Sequence, residues 1–207
     1  MRQRGGGYVQ EMYNRFAAIV VCSSVPVAGL AAPVSVVVRG PDGKPLAGAV
    51  VTVEAPGVSA PAPSRAYAVE QRDIAFQPRV LIVPVGAAVT FPNRDRVRHH
   101  VYSFSKPKRF ELKLYGREEQ RSVVFDRPGV VSLGCNIHDS MSGFLYVTAT
   151  PFAAQTGADG RAALNGVPAG RATIRVWHPS IRIAGNSLSQ SVAVPAAGLS
   201  TTLAVRR

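Results

Sequence analysis

The sequence contains little sulfur: its 207 residues include two cysteines and three methionines. One cysteine, Cys22, lies in an N-terminal stretch whose basic, then apolar, then small residues are typical of a cleaved export signal. After cleavage, Cys135 has no partner for an internal disulfide, and the C-x-x-C-H pattern of attached haem is absent from the sequence. A bare thiol in an oxidising compartment invites oxidation, and metal binding would prevent this.

Long apolar runs are also scarce. The apolar part of the N-terminal stretch, residues 16–27, is shorter than the roughly 20 residues that a membrane-spanning helix needs. We therefore predict a signal peptide over residues 1–31 and a periplasmic mature chain without an integral membrane span. A lipoprotein signal ending at Cys22 is disfavoured, because Val21 is bulky where a small residue would be expected.

Acidic residues number half the basic ones, 12 against 24, and the formal net charge is +12. Loss of the signal removes three arginines and one glutamate, which leaves +10. An exported protein meets little nucleic acid, so this charge favours acidic protein partners or an anionic membrane surface. Residues 94–127 carry ten basic and five acidic side chains, a net +5, which is half of the mature charge.

Short valine-rich runs separated by Gly, Pro and Asp turns dominate the chain instead, and they predict an all-β protein. Residues 34–53 contain two such runs around a Gly-Pro-Asp-Gly turn. Residues 55–64 form a linker rich in Pro, Ala and Ser. A second set of strands is predicted over residues 66–150 and a third over residues 151–207.

The segment GCNIHDSM places Cys135, His138 and Met141 at i, i+3 and i+6. Thiolate, imidazole and thioether suit a soft or borderline metal, and a trigonal His₂Cys set with a weak axial Met is the blue-copper ligand set. Zinc prefers a harder or thiolate fourth ligand. A cysteine nucleophile would need an oxyanion motif, which we do not find. The copper set requires a second histidine.

Two adjacent histidines, His99 and His100, follow an apolar strand upstream. Neighbouring residues in a strand point to opposite faces, so one of the two can face a buried site. Val101 would share the face of His99, and Tyr102 that of His100. An inward valine fits a sandwich core better than an inward tyrosine, which needs a hydrogen-bond partner. We expect His99 to be the ligand, with His100 as the alternative.

The segments FPNRDRVRHHV and FDRPGVVSLGCNIHDSM resemble the cupredoxins, the small blue copper proteins, and among them the amicyanin and plastocyanin-like group. The C-x₂-H-x₂-M spacing matches the short amicyanin-type loop. The CNIHD wording is similar to that of cupredoxin-like proteins known as methylamine utilization proteins. The resemblance covers residues 66–150 and implies a Greek-key cupredoxin β-sandwich.

The resemblance also implies a site for one type 1 copper ion. Asn93 takes the place of the asparagine whose hydrogen bonds tie the two ligand loops together. Asp139 is a departure, because amicyanin-like loops often have proline there. The four implied ligands are His99, Cys135, His138 and Met141.

The flanking segments resemble the two halves of a prealbumin-like β-sandwich, the carboxypeptidase regulatory-like domain. Residues 32–60 match its opening half and residues 151–207 its closing half. We therefore expect one small sandwich that is interrupted by the copper domain. The alternative is an extended N-terminal strand region followed, after the copper domain, by an independent β segment.

The expected function is that of an exported carrier of single electrons between periplasmic redox partners, which is not an enzyme. The alternative is a copper-binding accessory or delivery protein for a periplasmic oxidase or dehydrogenase. The expected partner is an acidic redox protein, a cytochrome c or a quinoprotein dehydrogenase, attracted by the basic span of residues 94–127 around the site. We expect Met141 and Phe144 in an apolar rim around His138.

Overall fold

The computed structural model of the protein describes Met1 and residues 31–205. The predicted signal peptide, residues 1–31, lies outside the described residues except at its two ends. The described part contains strands and one short 3₁₀ turn, Ala184–Asn186, so the all-β expectation is confirmed. Within these residues no helix has the length and apolar character needed to cross a membrane.

The described residues form seventeen strands. In chain order they are β1 (Ala31–Arg39), β2 (Val50–Glu54), β3 (Tyr67–Ala68), β4 (Glu70–Arg72), β5 (Ala75–Gln77), β6 (Val80–Pro84), β7 (Ala87–Thr90), β8 (His99–Ser103), β9 (Phe110–Tyr115), β10 (Ser122–Phe125), β11 (Gly129–Gly134), β12 (Ser142–Thr148), β13 (Ala153–Gln155), β14 (Arg161–Pro168), β15 (Gly170–Trp177), β16 (Ser187–Val194) and β17 (Leu199–Ala204).

Strands from the two ends of the described chain pair with each other in what we call the flanking sandwich. One sheet has the order β14-β1-β17 and the other β13-β2-β15-β16. Alternate residues of β1, from Ala32 to Val38, point inward because successive side chains of a strand face opposite sides. They share one apolar core with residues such as Val53 and Ile174. Whether this sandwich folds as a domain of its own stays a prediction.

The residues between these segments form a second sandwich, the central sandwich. Its sheets have the orders β10-β7-β3 and β6-β12-β11-β8-β9, and a small hairpin, β4-β5, lies beside them. Three aromatic side chains, Phe91, Tyr115 and Phe125, are fully buried in its core. Cys135 and Met141 belong to the same core. Two of the predicted ligands are therefore embedded in apolar packing.

A third, smaller cluster joins the two sandwiches. Trp177, at the end of β15, is 2% exposed. Its ring lies 5.2 Å from that of Phe144 and 6.0 Å from that of Tyr146, centroid to centroid. Phe144 and Tyr146 lie on the outer face of β12, since Leu145 between them points into the central core. The flanking sandwich therefore covers this face of the central sheet.

We predict that Trp177→Ala lowers the free energy of unfolding by about 3–5 kcal/mol, because it leaves a cavity between the sandwiches. Urea titration followed by circular dichroism measures this loss. As a control, Ile183→Ala removes a side chain that is 43% exposed and should change stability by less than about 0.5 kcal/mol. Equal effects of the two substitutions would contradict the role of the interface cluster.

Candidate metal centre

The structure brings three of the four predicted ligands together. One ligand atom each from His99, Cys135 and His138 lies within 4.8 Å of the others. His99 is 0% exposed and Cys135 is 4% exposed, while His138 is partly buried. The two imidazole rings lie 5.1 Å apart, centroid to centroid, at an interplanar angle of 64°. This spacing leaves room for one ion between the three side chains.

Two neighbouring strands of one sheet produce this convergence. β8 begins at His99, and β11 ends at Gly134, one residue before Cys135. The chain then turns back into β12, and the backbone N–H of Met141 donates to the carbonyl of His138 at 3.0 Å. The turn thus places His138 beside His99, which is 39 positions earlier in the chain.

His99 and His138 each have one buried ring nitrogen without a hydrogen-bond partner among the described residues. Nε2 of His99 lies 2.8 Å from Oδ2 of Asp95. Nδ1 of His99 and Nδ1 of His138 are both buried and have no hydrogen-bond partner among the described residues. A buried polar atom without a partner is costly, and a metal ligated by that atom removes the cost. These two nitrogens are therefore the atoms available to a metal.

The adjacent histidine, His100, points to the other side of β8. Its Nε2 lies 2.9 Å from a carboxylate oxygen of Glu111, and its ring lies 5.7 Å from that of Tyr102. Its Nδ1 also lacks a partner, but it lies outside the group of three ligand atoms. Val101 is fully buried on the side of His99, in line with the alternation of the strand.

Met141 is 2% exposed and packs in the same apolar core as Cys135. Its thioether is therefore withdrawn from solvent at the end of the turn that carries Cys135 and His138. Its role as a ligand stays a prediction.

Asp95 connects the first histidine to the neighbouring hairpin. Its carboxylate accepts the backbone N–H groups of Asp73 at 2.7 Å and Ile74 at 3.0 Å, and it contacts Nε2 of His99. Burial would raise the pKa of Asp95. The hydrogen bonds from Ile74, His99 and Asp73 outweigh this and hold the pKa below its usual value. A carboxylate on the outer ring nitrogen selects the tautomer that leaves Nδ1 free for a metal.

The hairpin turn that serves Asp95 has an unusual backbone. Asp73 and Ile74 have φ of 55° and 56°, the left-handed values that a two-residue type I′ turn requires. For a β-branched residue such as Ile74 this conformation costs about 1–2 kcal/mol. The two hydrogen bonds to Asp95 offset part of that cost, so the hairpin and the ligand loop stabilise each other.

Asn93 differs from the role that the resemblance implied. Its side-chain amide donates to the carbonyls of Val97 at 2.8 Å and Tyr115 at 3.1 Å, and its Oδ1 accepts the N–H of Asp95 at 2.8 Å. Among the hydrogen bonds of residues 31–205, none joins this side chain to the Cys135 loop. Asn93 instead ties the loop before His99 to the end of β9.

A network of buried polar side chains lies next to the candidate site. The hydroxyl of Tyr115 donates to the carbonyl of Phe91 at 2.6 Å and accepts from the amide of Gln71 at 2.6 Å. Tyr115 also pairs with His99 across β8 and β9. Burial raises the pKa of Tyr115 to about 12, although the hydrogen bond from Gln71 opposes the shift. The hydroxyl therefore stays protonated and can donate at neutral pH.

Asp95, Gln71 and Tyr115 were missed by the sequence analysis. Asp95 could have been found, because it stands four residues before His99 in the same loop. Gln71 and Tyr115 carry no such signal, since their contacts join residues 20 to 44 positions apart.

The basic span, residues 94–127, is divided between the two ends of the β8–β9 pair. β8 and β9 form an antiparallel pair in which His99 faces Tyr115 and Ser103 faces Phe110. The loop of residues 104–109 therefore lies at the other end of this pair from His99. Five of the ten cations of the basic span, Arg94, Arg96, Arg98, Arg117 and Arg121, lie in the loops before His99 and after Tyr115, and three of these five, Arg94, Arg98 and Arg121, pair with Glu70 or Glu119.

The expected apolar rim also has different members. Met141 is buried in the core and Phe144 packs against Trp177, so neither lies in a solvent-facing rim. Three other apolar side chains are exposed in the loops of the ligand end: Ile74 at 44%, Val97 at 46% and Ile137 at 54%. We call these three residues the apolar rim.

No protein-family model and no curated protein matches the chain. Among solved structures, it is similar to a copper-containing nitrite reductase (NirK) from Thermus scotoductus SA-01, with 30% identity and a TM-score of 0.39. That match covers 45% of this chain and 24% of the other, so the chain spans about a quarter of the nitrite reductase.

Two smaller copper proteins are also similar. A purple cupredoxin from Nitrosopumilus maritimus has 23% identity and a TM-score of 0.36, over 40% of this chain and 99% of that chain. The reduced Cu(I) form of an amicyanin mutant at pH 4 has 25% identity and a TM-score of 0.37, over 47% of this chain and 97% of that chain. At TM-scores this low, these similarities do not assign a function.

We predict that Asp95→Ala lowers copper affinity by about 10–100-fold, because His99 loses the carboxylate that fixes its tautomer and orientation. Competition with a chelator of known affinity measures the change. Asp139→Ala is the matched control, since Asp139 is an exposed carboxylate in the other ligand loop. A larger loss of affinity in the control than in Asp95→Ala would contradict this role.

We also predict that Tyr115→Phe destabilises the fold by about 1–3 kcal/mol, because it removes one hydrogen bond to Phe91 and one from Gln71 in a buried site. Urea denaturation measures the change. In the control, Tyr102→Phe, the hydroxyl lies on the partly exposed outer face of β8 and a smaller loss is expected. Similar losses in both variants would show that the buried hydroxyl of Tyr115 contributes no more to stability than the more exposed hydroxyl of Tyr102.

Proposed function

We propose that the protein binds one copper ion through Nδ1 of His99, Sγ of Cys135 and Nδ1 of His138, with Met141 as a weak axial ligand, and carries single electrons. The observation that supports this most directly is the convergence of one ligand atom each from His99, Cys135 and His138 within 4.8 Å, with Nδ1 of both histidines buried and without a hydrogen-bond partner among the described residues. Two imidazoles and a thiolate form the trigonal set typical of blue copper.

The surroundings of the site favour copper over zinc. Structural zinc sites are completed by a further histidine, thiolate or carboxylate. In residues 31–205 the convergent group contains three such residues, and the neighbouring sulfur is the thioether of Met141 in the same core. A buried thioether suits copper, which accepts soft ligands.

Electron transfer fits this geometry better than catalysis on a bound substrate. Bound copper would supply a one-electron couple, while His99, in β8, and Cys135, directly after β11, are buried and would exclude water from it. A rigid ligand set limits the reorganisation that accompanies a change of oxidation state. The structure also contains a cleft of about 800 Å³. It lies between the sandwiches beside Trp177, and none of the candidate ligands lines it.

The partly buried His138 provides the path for electrons to the surface. Its neighbour Ile137 is exposed, and the other two members of the apolar rim lie in adjacent loops of the ligand end. A redox partner that covers the rim would approach the imidazole of His138 closely. A copper-delivery protein needs ligands that a recipient can reach, and the full burial of His99 disfavours that alternative.

The proposed location and partners follow from the sequence. The N-terminal basic and apolar pattern supports export to the periplasm. A cytochrome c or a quinoprotein dehydrogenase is the class of partner that we propose. Since Arg94, Arg98 and Arg121 at the ligand end are already paired with carboxylates, docking depends more on the apolar rim than on attraction to an acidic face.

The ligand set predicts an intense visible absorption band in the copper(II) form that arises from the Cys135 thiolate. Cys135→Ser should abolish the band, and His99→Ala should abolish or strongly alter it. His100→Ala is the matched control, because His100 is the adjacent histidine on the opposite face. Optical and EPR spectra of the copper-loaded variants provide the measurement. Loss of the band in His100→Ala with its retention in His99→Ala would reverse the assignment.

Docking through the apolar rim predicts that Ile137→Lys slows electron transfer to a cytochrome c on the order of tenfold, as expected for a residue central to an interface. Stopped-flow mixing measures the second-order rate. Val124→Lys is the control, because Val124 is 50% exposed on β10, outside the rim. The rate for the unaltered protein should change little with salt, whereas a steep decrease would indicate the acidic partner expected from the sequence.

A further inference from the structure

The loop between β8 and β9, residues 104–109, combines an exposed aromatic side chain with several cations. Phe104 is 75% exposed, more than any other large apolar side chain in residues 31–205. Its ring rests on that of Tyr102 at 5.1 Å between centroids, so its direction is fixed although most of its surface faces solvent. We call this segment the basic loop.

The basic loop is held in place rather than extended freely. The hydroxyl oxygen of Ser105 accepts the backbone N–H of Ser132 at 2.9 Å, and the N–H of Lys108 donates to the carbonyl of Ser105 at 3.1 Å. The ring of Pro107 packs so closely against Gly129 that a Cβ atom there would lie 2.7 Å from it. The loop therefore presents its side chains in a defined arrangement.

The charges around Phe104 are predominantly positive. Lys108 pairs with Asp126 at 3.1 Å, and Glu111, at the start of β9, contacts His100 instead of the loop. Among the described residues, the remaining cations have no carboxylate within ion-pair distance; they are Lys106, Arg109 and Arg127. With Lys108, Asp126 and Glu111 included, the charge around Phe104 is a net +2.

We propose that the basic loop binds the surface of an anionic lipid bilayer, with Phe104 inserted among the head groups and Lys106, Arg109 and Arg127 against the lipid phosphates. Basic side chains near an anionic membrane each add to binding, and an apolar side chain gains free energy by leaving water at the same interface. One protruding ring surrounded by cations fits a deformable lipid surface. A protein interface typically has a broader apolar centre.

This binding mode would orient the metal centre. The ring of Phe104 rests on that of Tyr102, and Tyr102 pairs with Gly134, the residue before Cys135. Phe104 therefore lies near the end of β11 that leads to the candidate ligands. A membrane that takes up Phe104 would lie beside this part of the central sandwich. The proposal does not depend on which metal the site binds.

Co-sedimentation with vesicles tests the proposal. The protein should be residues 32–207, because the apolar residues 16–27 of the expected signal would themselves associate with lipid. We expect binding to vesicles of phosphatidylcholine mixed with phosphatidylglycerol, a decrease in binding as salt rises, and little binding to phosphatidylcholine alone. Absence of binding to the anionic vesicles would overturn the proposal.

Variants locate the binding surface. Replacement of Lys106, Arg109 and Arg127 by Gln should weaken binding on the order of fivefold per cation removed. The matched control replaces three exposed cations elsewhere, Lys44, Arg117 and Arg171, by Gln. An equal loss in both triple variants would show attraction by overall charge and overturn the assignment to the basic loop.

A single substitution tests insertion of the ring. Phe104→Ser should weaken binding, and Phe104→Trp should show a blue shift of fluorescence on addition of anionic vesicles, beyond any change from the buried Trp177. Unchanged binding of Phe104→Ser would overturn the insertion of Phe104. Circular dichroism of each variant confirms that the fold is retained.

Discussion

In the candidate metal centre, the orientation of His99 depends on its contact with the carboxylate of Asp95. This carboxylate accepts two backbone N–H groups from a strained hairpin turn and contacts the outer nitrogen of His99. These bonds set the ring so that its other nitrogen faces Cys135 and His138. Hydrogen bonds of this kind, made to a ligand from behind, fix its tautomer and its orientation toward an ion.

Apolar packing also fixes the positions of the candidate ligands on the other loop. Cys135 and Met141 are part of the central core, so their positions are determined by the same contacts that stabilise the sandwich. On the other side of that sheet, Trp177 packs against the outer face of β12. The flanking sandwich thus covers one face of the central sheet.

Sequence patterns predicted the strands because alternation and turn residues are local properties, and the prediction of an all-β fold is confirmed. The spacing of Cys135, His138 and Met141 lies within one turn and was also visible. The choice of His99 over His100 followed from strand alternation, and the structure groups His99 with the other two. The sum of charge over residues 94–127 did not show that the reversal between β8 and β9 divides these cations between the two ends of the strand pair.

The sequence by itself therefore determined the all-β class, the residue types of the candidate ligands and their spacing within each loop, since these depend on neighbours along the chain. Tertiary structure decided which groups support and surround them. Asp95 meets residues 21 and 22 positions earlier, and Tyr115 meets Gln71 across 44 positions. Such contacts depend on how strands are ordered in the sheets, and no short pattern in the sequence encodes that order.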